Sequence, residues 1–152
     1  GNNMANSLIV GGLKVGMKVS VATPKGYEPW QEVLDFASGN DDFMLTNDPL
    51  EAAEGADAIF TDVWASMGQE AEAQKRSAAF EGTYQVNEKL LKAANEDCMV
   101  LHCLPAHRGE EITADVFEAH ANEIFDEAEN RLHAQKAVMV SLMGHPGKAK
   151  FI

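Results

Sequence analysis

The sequence predicts a doubly wound α/β domain, a Rossmann-like parallel sheet with helices on both faces. Three observations predict it. Short apolar runs rich in β-branched residues stand at 19–22, 43–46, 58–63 and 99–103. Segments with helical periodicity lie between them, punctuated by capping residues and glycines. The connections are short, so each strand hands over to a crossover helix, and that alternation makes neighbouring strands parallel.

Each element has a local reason. A helix begins near Asn3, carries Met4, Leu8, Ile9 and Leu13, and stops at Gly16, which accepts the left-handed conformation of a helix end. The strand Val19 to Ala22 follows, then a helix over about 30–38 closed by Gly39. After the strand Phe43 to Thr46, Asp48 offers an N-cap and Pro49 suits the first helical position, with the helix ending before Gly55. The strand Ala58 to Val63 leads to helices at about 69–80 and 87–95, and the strand Met99 to Cys103 leads to helices at 113–119 and 127–143. The reading makes residues 1–143 one domain and 144–152, rich in Gly, Pro and Lys, a C-terminal tail. Because the chain enters a helix immediately after Gly1-Asn2-Asn3, the first strand of the domain is expected to be missing.

Composition narrows the function classes. A chain of 152 residues that is 45% hydrophobic supports a single core of ordinary size. The net charge is −12, from 24 acidic and 12 basic residues, and 110–129 holds eight acids without one Lys or Arg. Such a surface repels nucleic acid and anionic membranes, and is expected to be a solvated acidic face. No apolar run approaches the roughly 18 residues that span a bilayer, and the N-terminus has no export pattern. Cys98 and Cys103 on one extended segment would lie roughly 16 Å apart, too far for a disulfide. Free thiols point to a cytoplasmic location.

In a doubly wound fold, ligands bind beyond the carboxyl ends of the strands. Three loops qualify: GNNMANS at the start, TDVWASMGQE from Thr61, and HCLPAHRG from His102. Asp62, at the end of an otherwise apolar strand, suits an ammonium group, although an Asp here also commonly caps a turn. Ser66, Met67 and Gly68 offer a hydroxyl and backbone N–H groups before a helix, a setting for a small anion or an ordinary helix start. Cys103 at a strand end can touch a ligand, although a free cysteine is more often a small buried hydrophobe. Zinc at His102, Cys103 and His107 lacks further ligands, and a cysteine-hydrolase reading has nothing to select His107 or His133 as base. Arg131, placed at the opening of the last helix, can fork onto phosphate or carboxylate, or pair with Glu127 or Glu129. Trp30, His120 and His145 read as surface residues without a role.

The strings GNNMANS, ATPKGYEP, DVWASMGQE, YQVN, HCLPAHRGEEIT and DEAENRLHAQKAVMV, in this order, resemble the ornithine-binding half of the ornithine carbamoyltransferases over essentially the whole chain. The resemblance implies that Asn3 binds the α-carboxylate of L-ornithine. Asp62 and Ser66 would hold the α-ammonium, and Met67 would close the loop. Cys103 and Leu104 would lie beside the δ-amine and carbamoyl group, and Arg131 would contact carbamoyl phosphate. The reaction implied needs no cofactor or metal: a deprotonated δ-amine attacks the carbamoyl carbon and phosphate leaves, with a Cys103 thiolate and Asp62 drawing off the proton. The SMG stretch and Asp62 favour a substrate with a free α-ammonium.

The family's Ser-x-Arg-Thr and His-Pro-x-Gln segments, which belong to a carbamoyl phosphate domain, are absent from these residues. The isolated chain is therefore expected not to turn over. Full-length family members form homotrimers mainly through that other domain. The last helix is expected to expose Leu132, Val138 and Leu142, inviting docking or self-association. Arg108 departs from the family's spacing and receives no role. The rival readings are a stand-alone ornithine-binding module or split subunit, and a degenerate domain kept for protein contacts.

Overall fold

A computed structural model describes residues 1–65 and 72–143. The elements follow in order: α1 (Asn3–Lys14), β1 (Val19–Ala22), α2 (Gln31–Ala37), β2 (Phe43–Thr46), α3 (Pro49–Ala53), β3 (Ala58–Thr61), α4 (Ala73–Phe80), α5 (Glu88–Leu91), β4 (Met99–His102), α6 (Ala114–Ala119) and α7 (Ala121–Met143). The expected punctuation is used. Asp48 caps α3 and Pro49 takes its first turn, and Asn2, Asn87 and Thr113, which the sequence reading did not single out as caps, likewise accept a hydrogen bond from a first-turn amide. Gly16 turns α1 off with φ +80°, a conformation that strains any side chain with a Cβ.

All strand pairing is parallel, as the alternation requires. Val19 pairs with Phe43 through to Ala22 with Thr46, and Ala58 with Met99 through to Thr61 with His102. The expectation of one continuous sheet needs a correction: β1–β2 and β3–β4 form two separate two-stranded sheets, and no strand among the described residues joins them. Coverage differs accordingly. No residue of β1 or β2 is buried, whereas Val100 and His102 of the second pair are fully buried and Ile59 nearly so. The main core lies in the second half, where Ile59, Val86, Leu90, Val100, Ile112, Val116, Phe117 and Ile124 pack together.

The last helix also departs from expectation. It starts at Ala121, six residues earlier than the periodicity suggests, so Arg131 lies in its middle. The acidic stretch is the reason. Among the described residues β4 is an edge strand whose outward N–H groups have no strand to meet, and α7 supplies carboxylates in matching register. Val100 N–H donates to Glu123 at 2.9 Å and His102 N–H to Glu127 at 3.0 Å. Four helical residues rise about 6 Å and two strand residues about 6.6 Å, so an i, i+4 pair of glutamates fits an i, i+2 pair of amides. The stretch is thus more than the solvated face expected of it. Burial would push the Glu123 carboxyl up, but hydrogen bonds from His120 and Val100 hold it below the usual range. The expected apolar exposure on α7 is present: Leu132, Val138 and Leu142 are open to solvent together with Met139, Val140 and Met143. No helix among the described residues is long and apolar enough to cross a membrane.

Glu123→Ala leaves the fully buried Val100 with an unpaired N–H. It should cost about 1–3 kcal/mol in urea unfolding, and Glu123→Gln, which keeps an acceptor, should cost less.

Candidate functional site

The three loops singled out in the sequence meet at the carboxyl ends of the strands. Asn2 caps α1 through its Oδ1, which accepts from Ala5 N–H at 2.9 Å, and its Nδ2 donates to Asp62 Oδ2. The other oxygen of Asp62 accepts from Val63 N–H at 2.8 Å. Asp62 is therefore both a turn former and an oriented carboxylate. Asn3, the expected ligand, is exposed at the rim of a cavity of about 320 Å³ lined by Gly1, Asn2, Asn3, Trp30, Val63, Trp64 and Arg76. Gly1 is pressed into the backbone of the ATPKGYEP loop, where a Cβ would lie 2.2 Å from Pro29 N. That loop is pinned by the buried Thr23, whose hydroxyl donates to Tyr27 O at 2.7 Å while its carbonyl accepts from Asn47 Nδ2 at 2.7 Å. Beneath the cavity, Phe80 meets Tyr27 and Tyr84 edge-on, at 5.2 and 5.5 Å, and Trp64 in a stacked arrangement at 6.1 Å. Ser66 and Met67 lie outside the described residues.

The HCLP turn is built on a buried pair that the sequence did not disclose. His102 and Glu111 both have fully buried side chains, and His102 Nε2 lies 3.0 Å from Glu111 Oε1. Leu104 N–H donates to His102 Nδ1 at 2.9 Å, so Nδ1 is unprotonated and Nε2 carries the proton donated to Glu111. His107 N–H donates to the same carboxylate oxygen at 2.6 Å. Burial would raise the Glu111 carboxyl, but these bonds from His102 and His107 hold it below the ordinary range. Leu104 sits at φ 55°, a strained setting for a leucine, secured by the bond to His102.

The YQVN string closes the same turn. Gln85 Nε2 donates to the Gly109 and Glu110 carbonyls, each at 2.9 Å, and Val86 pairs with Ile112 in a parallel bridge. Asn87 caps α5, and Tyr84 donates to Asn47 O at 2.7 Å. Arg108 has a surface role: it bonds Glu118 at 2.9 and 2.8 Å and covers the Phe117 ring at 4.0 Å.

Asp62 and Cys103 are brought together. The thiol is free, half-buried, and pushed up to about 12 by burial, then by hydrogen bonding and charge from Asp62, then by the Glu127 charge. The expected Cys103 thiolate is thereby corrected: at neutral pH this group stays a thiol. Burial likewise raises the Glu127 carboxyl, although its bond from His102 N–H opposes this. Arg131 lies one turn beyond Glu127 on the exposed stretch of α7, and forms no ion pair among the described residues. The pairings expected for it fail because Glu127 is turned to β4 and Glu129 binds His133 at 3.0 Å.

Two other places gather polar side chains. His107, Glu110 and Glu111 place donor atoms within 4.8 Å of one another, but Glu111 is committed to His102, leaving two exposed ligands, few for a metal centre. A larger groove of about 470 Å³, lined by residues including Glu88, Cys98 and His120, lies at the opening of β4, away from the ligand-binding mouths.

This geometry defines the class: an α/β domain whose polar loops gather at the carboxyl ends of its parallel strands. Residues 1–142 match the family described as aspartate/ornithine carbamoyltransferase, Asp/Orn binding domain. Ornithine carbamoyltransferases from Carboxydothermus hydrogenoformans and Thermococcus kodakarensis are each 54% identical over 149 residues, covering 95% of this chain and 48% and 47% of theirs. The crystal structure of anabolic ornithine carbamoyltransferase from Campylobacter jejuni superposes with a TM-score of 0.89 at 39% identity, covering 94% of this chain and 48% of that one. The ornithine carbamoyltransferase from Pyrococcus furiosus gives 0.86 at 52%, covering 99% and 48%. The chain belongs to the aspartate/ornithine carbamoyltransferase family, as its Asp/Orn binding domain, and spans about half the length of the relatives it matches.

The Glu111 carboxyl is depressed in the folded protein, so the stability it contributes is present above its unfolded value near 4.5 and is lost as pH falls through the folded value. Glu111→Gln should therefore be less stable at pH 7 by about 1.5–3 kcal/mol, with a shallower loss of stability below pH 4.5 in acid unfolding.

Proposed function

We propose that this chain is the ornithine-binding domain of an ornithine carbamoyltransferase, which transfers the carbamoyl group of carbamoyl phosphate to the δ-amine of L-ornithine, giving L-citrulline and phosphate. The observation that carries the reading is the oriented Asp62 carboxylate between the Asn2–Asn3 helix start and the Cys103 turn. Together with the relatives' names, it favours a substrate bearing both an α-carboxylate and an α-ammonium. On this reading the domain is residues 1–143 and the remainder a tail.

Asp62, with Ser66, holds the α-ammonium, Asn3 receives the α-carboxylate, and Met67 closes over the substrate. The δ-nitrogen, once deprotonated, uses its lone pair to form the N–C bond to the carbamoyl carbon. The C–O bond to phosphate then breaks, phosphate leaves with the electron pair, and the surplus proton on nitrogen passes to it. Cys103, held as a neutral thiol, and the Leu104 backbone flank the reacting centre by hydrogen bonding and shape. Arg131 would face the phosphate end in the assembled enzyme. Carbamoyl phosphate is gripped chiefly by the half of the enzyme to which this chain has no counterpart, so this chain alone binds ornithine without turnover. The exposed face of α7 packs on that half, in a cytoplasmic homotrimer.

Calorimetric titration with L-ornithine tests the reading. Asp62→Asn should weaken binding by about 10- to 150-fold, the worth of one charge-assisted hydrogen bond, with the native secondary structure retained in circular dichroism. Equal binding by both proteins would contradict it.

A further inference from the structure

Two exposed ligands are few for a metal centre, yet Glu111 is committed to His102 through one oxygen alone. Its Oε1 accepts from His102 and from the His107 amide, whereas Oε2 is buried and has no hydrogen-bond partner among the described residues. The bonds from His102 and His107 hold the carboxyl below the ordinary range, so at neutral pH it is a buried anion with one bare oxygen. An orphaned charged oxygen in a dry setting is costly, and an ion or a water beside it is the usual remedy.

The surroundings of this oxygen favour a cation. His107, Glu110 and Glu111 each place a ligand atom within 4.8 Å of the other two. His107 Nδ1 lies 3.7 Å from Glu110 Oε2, too long for a hydrogen bond. Two atoms bound to one zinc ion at tetrahedral geometry stand about 3.3–3.4 Å apart, so a small adjustment lets both take the same ion. Both side chains are about half exposed, which leaves an approach open. The backbone between them is fixed: Glu110 N–H donates to His107 O at 2.9 Å, Gly109 N–H to Ile112 O at 2.8 Å, and Gln85 holds the Gly109 and Glu110 carbonyls. The intervening cation, Arg108, is spent on Glu118 and Phe117.

We propose that His107, Glu110 and the second oxygen of Glu111 form a structural site for a divalent cation of the zinc type, with water as fourth ligand, which clasps the return limb of the Cys103 turn. The proposal is independent of the ornithine reading. Co²⁺, a zinc substitute whose absorption reports its ligands, is titrated into the unmodified chain and into His107→Ala and Glu110→Gln, followed by visible spectroscopy and calorimetry. The expected result is saturable binding of a single ion. Its spectrum should be that of nitrogen and oxygen ligands, without the near-ultraviolet thiolate band that Cys98 or Cys103 would give. Affinity should fall at least about 10- to 100-fold in either variant, the loss usual for even an outer partner of a metal ligand. Zn²⁺ should displace Co²⁺ and raise the melting temperature of the unmodified chain but not of His107→Ala. Glu111→Gln, which keeps an acceptor for His102 but replaces the bare oxygen with an amide nitrogen, should also lose the ion; if it does not fold, the two exposed variants decide. A thiolate band, undiminished affinity in either exposed variant, or no saturable binding, the mark of an adventitious ion only, would overturn the proposal.

Discussion

The site depends on one buried hydrogen bond, from His102 Nε2 to Glu111. An ionised carboxylate excluded from water is costly unless hydrogen bonds replace its hydration, and Glu111 Oε1 receives bonds from both His102 and the His107 amide. The proton held at Nε2 leaves Nδ1 free to accept from Leu104 N–H. One tautomer thus fixes three points: the end of β4, the strained Leu104 and the return at His107. Between the first two lies Cys103, and its position beside Asp62 follows.

The surroundings keep this pair dry and in register. Glu123 and Glu127 occupy the open amides of β4, which otherwise would invite another strand or water. Gln85 and Val86 hold the outgoing limb of the turn, and Ile112 is buried beneath it. On the other side of the site, the N-terminal loop, the Thr23 loop and the Tyr27–Phe80–Trp64 aromatics form a separate support. Asp62 belongs to both, through Asn2 on one side and Cys103 on the other.

Much of this was legible in the residues. The strands at 19–22 and 43–46 fall where the apolar runs place them, and the Asp48 cap with Pro49 behind it follows from side-chain chemistry that acts within four residues. What was not legible depends on contacts distant in sequence. His102 and Glu111 are nine residues apart and meet only because the chain turns back at Ile112. Glu123 and Glu127 looked like surface acids because their partners are backbone amides of a strand more than twenty residues earlier. Arg76 sits in a helix with nothing unusual in its pattern, and only the cavity wall distinguishes it. The reading of Cys103 as a thiolate erred for the same reason: its burial and two neighbouring carboxylates come from other elements.

The most direct test of the account is the imidazole of His102 by nitrogen-correlated NMR. A single neutral tautomer at pH 7, protonated at Nε2 and with an unprotonated Nδ1 that accepts a hydrogen bond, is the result predicted. A ring protonated at Nδ1, or one exchanging rapidly between tautomers, would contradict the claim that the His102–Glu111 pair sets the turn presenting Cys103 to Asp62.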